Sequence, residues 1–77
     1  MKIQLSQKVK DKLSNKLISL RTRYGYTQEQ VAKGIKVFLR TYKKIENIEI
    51  IHGKYWVAIS RFYDIPLADF FEYLAQN

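Results

Sequence analysis

Residues 27–46 read TQEQVAKGIKVFLRTYKKIE, and this stretch holds two short helical patterns with almost nothing between them. Thr27 and Gln30 stand three residues apart, which is the spacing of a capping box at the start of a helix. Apolar residues then recur at helical spacing on both sides of a gap that leaves room only for a sharp turn. The stretch therefore predicts two helices joined by a tight turn, over about 28–35 and about 38–47.

Three further helices are predicted around this central pair. The first is capped by Ser6 and runs to about Tyr24, where Gly25 suits a left-handed helix end. Its apolar residues recur every three or four positions: Val9, Leu13, Leu17, Leu20 and Tyr24. A fourth helix begins at Lys54, and Pro66 starts a fifth, because proline suits the first turn of a helix. The apolar face of the fifth helix is expected to consist of Leu67, Phe70, Phe71 and Leu74. No stretch has the pattern of a strand, so residues 1–77 are expected to form one all-α domain of five helices.

The size and composition of the chain argue against an enzyme. A chain of 77 residues buries only roughly 60% of its unfolded surface, which leaves no room for a deep catalytic cavity. It contains no cysteine and a single histidine, His52, so no disulfide, thiolate metal site or other metal site is expected. Ser60 and Asp64 complete no triad with His52, because no nucleophile elbow or oxyanion feature accompanies them. Neither catalysis nor a cofactor is expected.

Positive charge is concentrated in the first part of the chain. Residues 1–44 carry 12 Lys and Arg against two carboxylates, whereas residues 45–77 carry two against five, for a net charge of +7. Such an asymmetric basic charge is typical of a protein that binds a phosphate backbone, with an anionic membrane surface as the main competitor. The N-terminus lacks the apolar run of a signal peptide, and no segment approaches ~20 apolar residues. A cytoplasmic location is therefore expected.

Six short motifs follow one another between residues 17 and 74: Leu17-x-x-Leu20-Arg21, Gly25-x-Thr27-Gln28, Val31-Ala32-x-x-Ile35, Val37, Tyr42-x-x-Ile45-Glu46 and Phe62-Tyr63-x-Ile65-Pro66-Leu67-x-x-Phe70. Together they resemble the lambda-repressor-like (Cro/repressor, Xre-type) helix-turn-helix family. The resemblance implies a sequence-specific regulator of transcription, commonly a repressor, that binds double-stranded DNA as a homodimer. Its recognition helix, over about 38–47, would enter the major groove.

The resemblance also implies roles for single residues. Arg21 and Glu46 match a pair that forms a salt bridge between the first helix and the end of the recognition helix. The positions that contact bases are Leu39, Arg40 and Lys44. Arginine can bond guanine bidentately, and leucine can pack on a thymine methyl group. The positions that contact DNA phosphates are Thr27, Gln28, Lys36, Thr41 and Lys43.

Four residues depart from the pattern of the family. Lys36 and Ile48 stand where glycine is usual, and a left-handed Lys36 would cost about 1 kcal/mol. Phe38 replaces the usual Ser or Thr helix cap, and Leu39 replaces a reader that forms hydrogen bonds. The apolar pair Phe38-Leu39 is the feature that favours an alternative function, a protein-interaction module on the same fold, such as an antitoxin or an anti-repressor.

Two further questions stay open on the sequence alone. Lys8, Lys12 and Lys16 lie four apart along the first helix, where they either keep the helix soluble or contact phosphates. The second part of the chain also has more apolar residues than one small core needs. An exposed remainder of them would make a self-association patch, drawn from Ile48, Ile50, Ile51, Phe70, Phe71 and Tyr73.

Overall fold

The computed structural model of the protein describes residues 6–71. Four α-helices and one short 3₁₀ helix follow one another along this part of the chain: α1 (Gln7–Arg23), α2 (Gln28–Gly34), α3 (Leu39–Glu46), α4 (Gly53–Tyr63) and the 3₁₀ helix (Leu67–Phe70). No strand occurs between residues 6 and 71. The all-α class predicted from the sequence is confirmed.

The predicted count of five α-helices is not confirmed. After Pro66 the described chain forms a single 3₁₀ turn, in which Asp69 N–H donates to the Pro66 carbonyl at 3.0 Å. Only Phe70 of the proposed apolar face is fully buried, whereas Leu67 is exposed, so one side chain anchors the segment rather than a helical stripe. Leu74, the last residue of that proposed face, lies outside the described residues.

The helix starts follow from local hydrogen bonds that the sequence predicts. The Ser6 hydroxyl accepts from Val9 N–H at 3.2 Å and so caps α1. At the start of α2, the Thr27 hydroxyl accepts from Gln30 N–H at 3.1 Å, and Gln30 Oε1 accepts from Thr27 N–H at 2.8 Å. These two bonds form the predicted capping box. By contrast, α3 begins at Leu39, one residue later than predicted, and Phe38 is its N-cap. The Phe38 side chain supplies no hydrogen bond to this cap.

All four α-helices are followed by a residue with left-handed backbone conformation. These residues are Gly25, Lys36, Ile48 and Asp64, with φ values of 73°, 61°, 58° and 55°. After α2, Lys36 N–H donates to the Lys33 carbonyl and Val37 N–H to the Ala32 carbonyl, at 3.2 and 2.9 Å. This pair of bonds is a Schellman motif, which satisfies the last carbonyls of a helix. The same pair closes the other three helices, although only one of the four left-handed residues is glycine.

The core draws buried residues from all four α-helices and from the 3₁₀ helix. Trp56 of α4 packs against Phe70, with ring centroids 5.7 Å apart. The buried apolar residues of the described chain are Leu13, Leu17, Leu20, Val31, Ala32, Ile35, Tyr42, Ile45, Ile48, Trp56, Ile59, Tyr63 and Phe70. The aromatic residues of α4 therefore serve mainly as core, as their spacing predicts.

Much of the suggested self-association patch is in fact buried. Ile48 and Phe70 belong to the core, and Ile50 and Phe71 are half-buried. Ile51 remains exposed, whereas Tyr73 lies outside the described residues. Among the patch residues that the structure describes, only Ile51 is openly accessible.

The last residue of α2 sits close to α4. A Cβ built on Gly34 would overlap the aromatic ring of Phe62. Glycine is therefore required here for the close approach of two elements rather than for its backbone conformation.

Candidate nucleic-acid interface

The burial pattern of α3 defines which of its faces is free. Tyr42, Ile45 and Glu46 are buried, and they form the side of the helix that packs on the core. Arg40 and Lys44 are exposed and four residues apart, so they share one outward face about one helical turn in length. The structure thus brings two of the three predicted base-contacting side chains together on an accessible surface.

The remaining predicted DNA contacts lie at the edges of this face. Leu39 and Thr41 are half-buried, at the start of α3 and on its flank, and Lys43 is exposed. Lys36 is exposed in the turn before α3. Thr27 is exposed at the start of α2, and its N–H and one lone pair of its hydroxyl oxygen are used in the capping box.

A buried carboxylate joins three helices behind the exposed face. Glu46 is only 1% exposed, and its Oε1 accepts from Arg21 Nε of α1 at 3.0 Å. Its second oxygen, Oε2, accepts from Gln28 Nε2 at the start of α2 at 2.7 Å. Arg21 also donates through Nη1 to the Tyr26 carbonyl at 3.2 Å. We call Arg21, Gln28 and Glu46 the carboxylate cluster.

The bond between Gln28 and Glu46 was not predicted from the sequence. The family resemblance implies instead that both the side chain and the backbone N–H of Gln28 contact a DNA phosphate. The two residues are 18 positions apart, so no local spacing indicates their contact. The only available signal is chemical, since a buried carboxylate needs more than one donor. The Gln28 side chain is therefore engaged within the domain, by the carboxylate at the end of α3.

Two buried tyrosines lie in the electrostatic field of the same carboxylate. Burial raises the pKa of Tyr63 to about 12, and the negative charge of Glu46 contributes further to this rise. Burial and Glu46 likewise raise the pKa of Tyr42 above its ordinary value. Within residues 6–71, neither phenol oxygen has a hydrogen-bond partner. Both rings therefore act as neutral core residues.

A shallow groove of about 400 Å³ runs between the α2–α3 turn and α4. Its rim contains two cations from different elements, Lys36 in the turn and Lys54 in the first turn of α4. Phe38 and Thr41 line it from the side of α3, and we call this surface the turn groove. The sequence-based interpretation missed Lys54, because only the packing of α4 brings it close to the turn.

Three basic residues of α1 lie on a different surface from the turn groove. Lys12, Lys16 and Arg23 line a second groove of about 580 Å³ together with Ile65 and Asp69. Lys16 Nζ donates to the Asp69 carbonyl at 3.1 Å. We call this surface the α1 groove. Lys36 lies on the turn groove, whereas Lys12 and Lys16 lie on the α1 groove. The positive charge of the first part of the chain is therefore divided between at least two surfaces.

Two other kinds of site find no support within residues 6–71. No three His, Cys, Asp or Glu side chains lie close enough together there to hold a metal ion. None of the helices in this range combines the length and the apolar character that a membrane crossing requires.

Comparison with known proteins gives one result. A family model described as helix-turn-helix matches residues 17–70. Neither the curated proteins nor the solved structures gave a match. The matched segment extends from the middle of α1 to the end of the 3₁₀ helix, and it contains both the α2–α3 turn and the carboxylate cluster.

Proposed function

The chain belongs to the Cro/repressor-like helix-turn-helix family, and on that premise we propose that it is a sequence-specific regulator of transcription that binds double-stranded DNA. The observation that carries the proposal is the shared outward face of Arg40 and Lys44 on α3. This α3 face would enter the major groove, where base edges are distinguishable from one another. No catalytic step or cofactor forms part of the proposed function.

In the proposed complex, bases are read from the exposed face of α3. Arg40 would bond the O6 and N7 atoms of a guanine, a contact that typically discriminates by ~1–3 kcal/mol. Lys44, one turn further along, would contact a second base, and Leu39 would pack on a thymine methyl group. The buried side of α3 supports this geometry, because Tyr42 and Ile45 hold the helix by its opposite face.

Phosphate contacts would set the position of α3 in the groove without reading sequence. We assign them to the start of α2, the turn and the flank of α3: Thr27, Gln28, Lys36, Thr41 and Lys43. The carboxylate cluster supports this assignment, because Glu46 joins the end of α3 to the first residue of α2. A shift of one helix against the DNA would then carry the other with it.

A homodimer on DNA is part of the proposal. Two copies would place two α3 helices in successive major grooves, on half-sites one helical turn apart. Repression would follow if such a site overlaps a promoter. Light scattering with and without duplex tests this point, and a strict monomer at tens of micromolar, also on DNA, would reject it.

The decisive experiment is selection from random duplexes, followed by affinity measurements on the recovered consensus. We expect Arg40→Ala to bind the consensus roughly 5- to 150-fold more weakly than the wild type does. For duplexes in which the base pair read by Arg40 is changed, the two proteins should differ little in affinity. Arg23→Ala is the matched control, because it removes the same charge from the α1 groove. If binding depends on salt but no consensus emerges, the protein binds DNA without sequence specificity and the proposal fails.

A further inference from the structure

Phe38 is the most exposed of the large apolar side chains that the structure describes. Its side chain is 78% exposed, more than that of Tyr24, Ile51 or any other large apolar residue between 6 and 71. It caps α3 through its backbone alone and supplies no hydrogen bond from its side chain. An aromatic ring has a large apolar surface that is favourably removed from water. Neither the core nor the helix cap therefore explains why an aromatic residue occupies this position.

The surroundings of Phe38 are basic. The residues that line the turn groove beside Phe38 include two cations, Lys36 and Lys54, and no carboxylate. Arg40 is exposed two residues further along. A ligand of this surface must therefore offer negative charge around an apolar group. A DNA duplex meets both requirements, because its phosphates flank grooves in which thymine presents a methyl group.

The position of Phe38 on α3 selects the groove it would face. In helix-turn-helix proteins, the N-terminal residues of the second helix contact base edges in the major groove. Phenylalanine carries no hydrogen-bonding group, so it cannot distinguish the donors and acceptors of the bases. The apolar group that base pairs present in that groove is the C5-methyl of thymine.

On the premise of the proposed function, we propose that Phe38 is a specificity-determining residue that packs on a thymine C5-methyl group. The contact extends the site beyond the bases read by Arg40 and Lys44, toward the N-terminus of α3. It requires no change of conformation, because the ring already projects from the folded domain. The consensus site consequently contains a thymine that is selected for its methyl group.

Replacement of thymine by uracil tests this contact, because it removes the methyl group and leaves the hydrogen-bonding edge unchanged. Each thymine of the selected consensus duplex is replaced in turn, and the Kd is measured by fluorescence anisotropy for the wild type and for Phe38→Ala. We expect the wild type to lose affinity by about fourfold at one thymine, the change that corresponds to ~0.8 kcal/mol for one buried methyl-sized group. Phe38→Ala binds the thymine and uracil duplexes equally at that position.

Three further variants make the result specific. Phe38→Ser introduces a side chain that favours helix caps, so it keeps α3 folded while removing the ring. Leu39→Ala must retain the uracil effect at the same thymine, which separates Phe38 from its apolar neighbour. Leu67→Ala, at an apolar residue that is 37% exposed in the 3₁₀ helix, must behave as the wild type.

The outcomes separate this inference from the proposed function. If the wild type selects no consensus, both fail together. If a consensus is recovered and depends on Arg40, but uracil has no effect at any thymine or has the same effect in Phe38→Ala, only the role of Phe38 is overturned. Its exposure would then fit the docking of a protein partner better than the reading of a base.

Discussion

At the scale of single residues, Glu46 links three helices through its two carboxylate oxygens. It is buried at the end of α3, and its two oxygens bond Arg21 of α1 and Gln28 of α2. A buried carboxylate without partners would be strongly unfavourable, so the two donors allow it to remain in the core. The same bonds fix the start of α2 relative to α3, which are the two elements proposed to contact DNA.

Removal of the Glu46 carboxylate is expected to destabilise the domain strongly. Glu46→Ala leaves Arg21 and the Gln28 amide without their acceptor, and loss of one partner of a buried ion pair costs about 3–5 kcal/mol. Urea unfolding followed by circular dichroism measures the change in the free energy of unfolding. Glu29→Ala is the control, because Glu29 and Lys33 form an exposed pair at 3.8 Å. We expect that variant to lose less than about 0.5 kcal/mol, and an equal loss in both variants would contradict the role of Glu46.

Tyr63 makes the stability of the domain sensitive to alkaline pH. The pKa of its phenol is raised to about 12 in the folded state, chiefly by burial and then by Glu46, whereas an unfolded tyrosine titrates near 10. The folded state therefore holds the proton more tightly. The corresponding stabilisation is fully present below pH 10 and is lost as the pH rises from about 10 toward 12.

The expected result is that Tyr63→Phe loses less stability than the wild type between pH 8 and pH 11. Urea midpoints at the two pH values give the comparison, and the lysines that also titrate in this range are common to both proteins. Tyr24→Phe is the control, because this ring is largely exposed. If the wild type and Tyr63→Phe lose the same amount, the folded and unfolded states do not differ in the titration of Tyr63.

At the scale of elements, the turn between α2 and α3 contains a left-handed residue that is not glycine and a glycine that is not left-handed. Its left-handed residue is Lys36, although a residue with a Cβ is disfavoured at that φ. Its last α2 residue, Gly34, has ordinary backbone conformation and is instead needed for the approach of Phe62. The glycine and the left-handed residue thus occupy different positions, each for its own steric reason.

Lys36→Gly is expected to stabilise the domain and to weaken DNA binding. Glycine adopts the left-handed conformation without steric strain, so the gain in the free energy of unfolding should be about 1 kcal/mol. The proposed phosphate contact is lost at the same time. Asp64→Gly, at a left-handed residue after α4, should stabilise without affecting DNA affinity. Unfolding and binding measurements on both variants check the two effects separately, and a less stable Lys36→Gly would contradict the account of the turn.

Gly34→Ala should destabilise the domain. The added methyl group overlaps the Phe62 ring, and overpacking of this kind typically costs about 1–3 kcal/mol. The matched control is Gly53→Ala at the first residue of α4, where an added Cβ meets no atom within 4 Å. Helix propensity should make that substitution neutral or slightly stabilising. Thermal unfolding distinguishes the two, and equal midpoints would show that α2 and α4 are less closely packed at this point.

At the scale of the whole molecule, net charge alone does not locate the binding surface. The chain has a net charge of +7, but its cations lie on at least two separate surfaces, the α3 face with the turn groove and the α1 groove. Only the first is continuous with the residues proposed to contact DNA. We therefore expect Lys12 and Lys16, which line the α1 groove, not to contact DNA phosphates.

Lys12→Gln should leave the salt dependence of DNA binding unchanged, whereas Lys36→Gln should reduce it. Each phosphate contact contributes about 0.9 to the slope of log K against log salt concentration. Lys36 adjoins α3, but Lys12 lies in the α1 groove near the 3₁₀ helix. Both variants lose one charge, so they are matched controls. A reduced slope in Lys12→Gln would show that DNA also contacts α1.

Local interactions explain why most of the fold can be predicted from the sequence. The capping box of Thr27 and Gln30 and the cap at Ser6 each join residues three apart, so the sequence alone contains both partners. The left-handed conformation of Gly25 at the end of α1 is likewise predictable, because it depends on the residue type at one position. The segment after Pro66 is different. Its apolar residues have helical spacing, but only Phe70 is buried and the chain forms a single 3₁₀ turn. In so short a segment, spacing alone does not distinguish such a turn from an α-helix.

Residue spacing alone predicts the helical class, the caps of α1 and α2 and the shared face of Arg40 and Lys44, because positions four apart on a helix lie on the same side. The contacts of polar groups across elements, by contrast, depend on how the helices pack. Helix packing joins Gln28 to Glu46, places Lys36 and Lys54 on one groove and places Lys12 and Lys16 on another, near the 3₁₀ helix. Such contacts depend on how whole helices pack against one another, and the spacing of residues within a single helix carries no record of that packing.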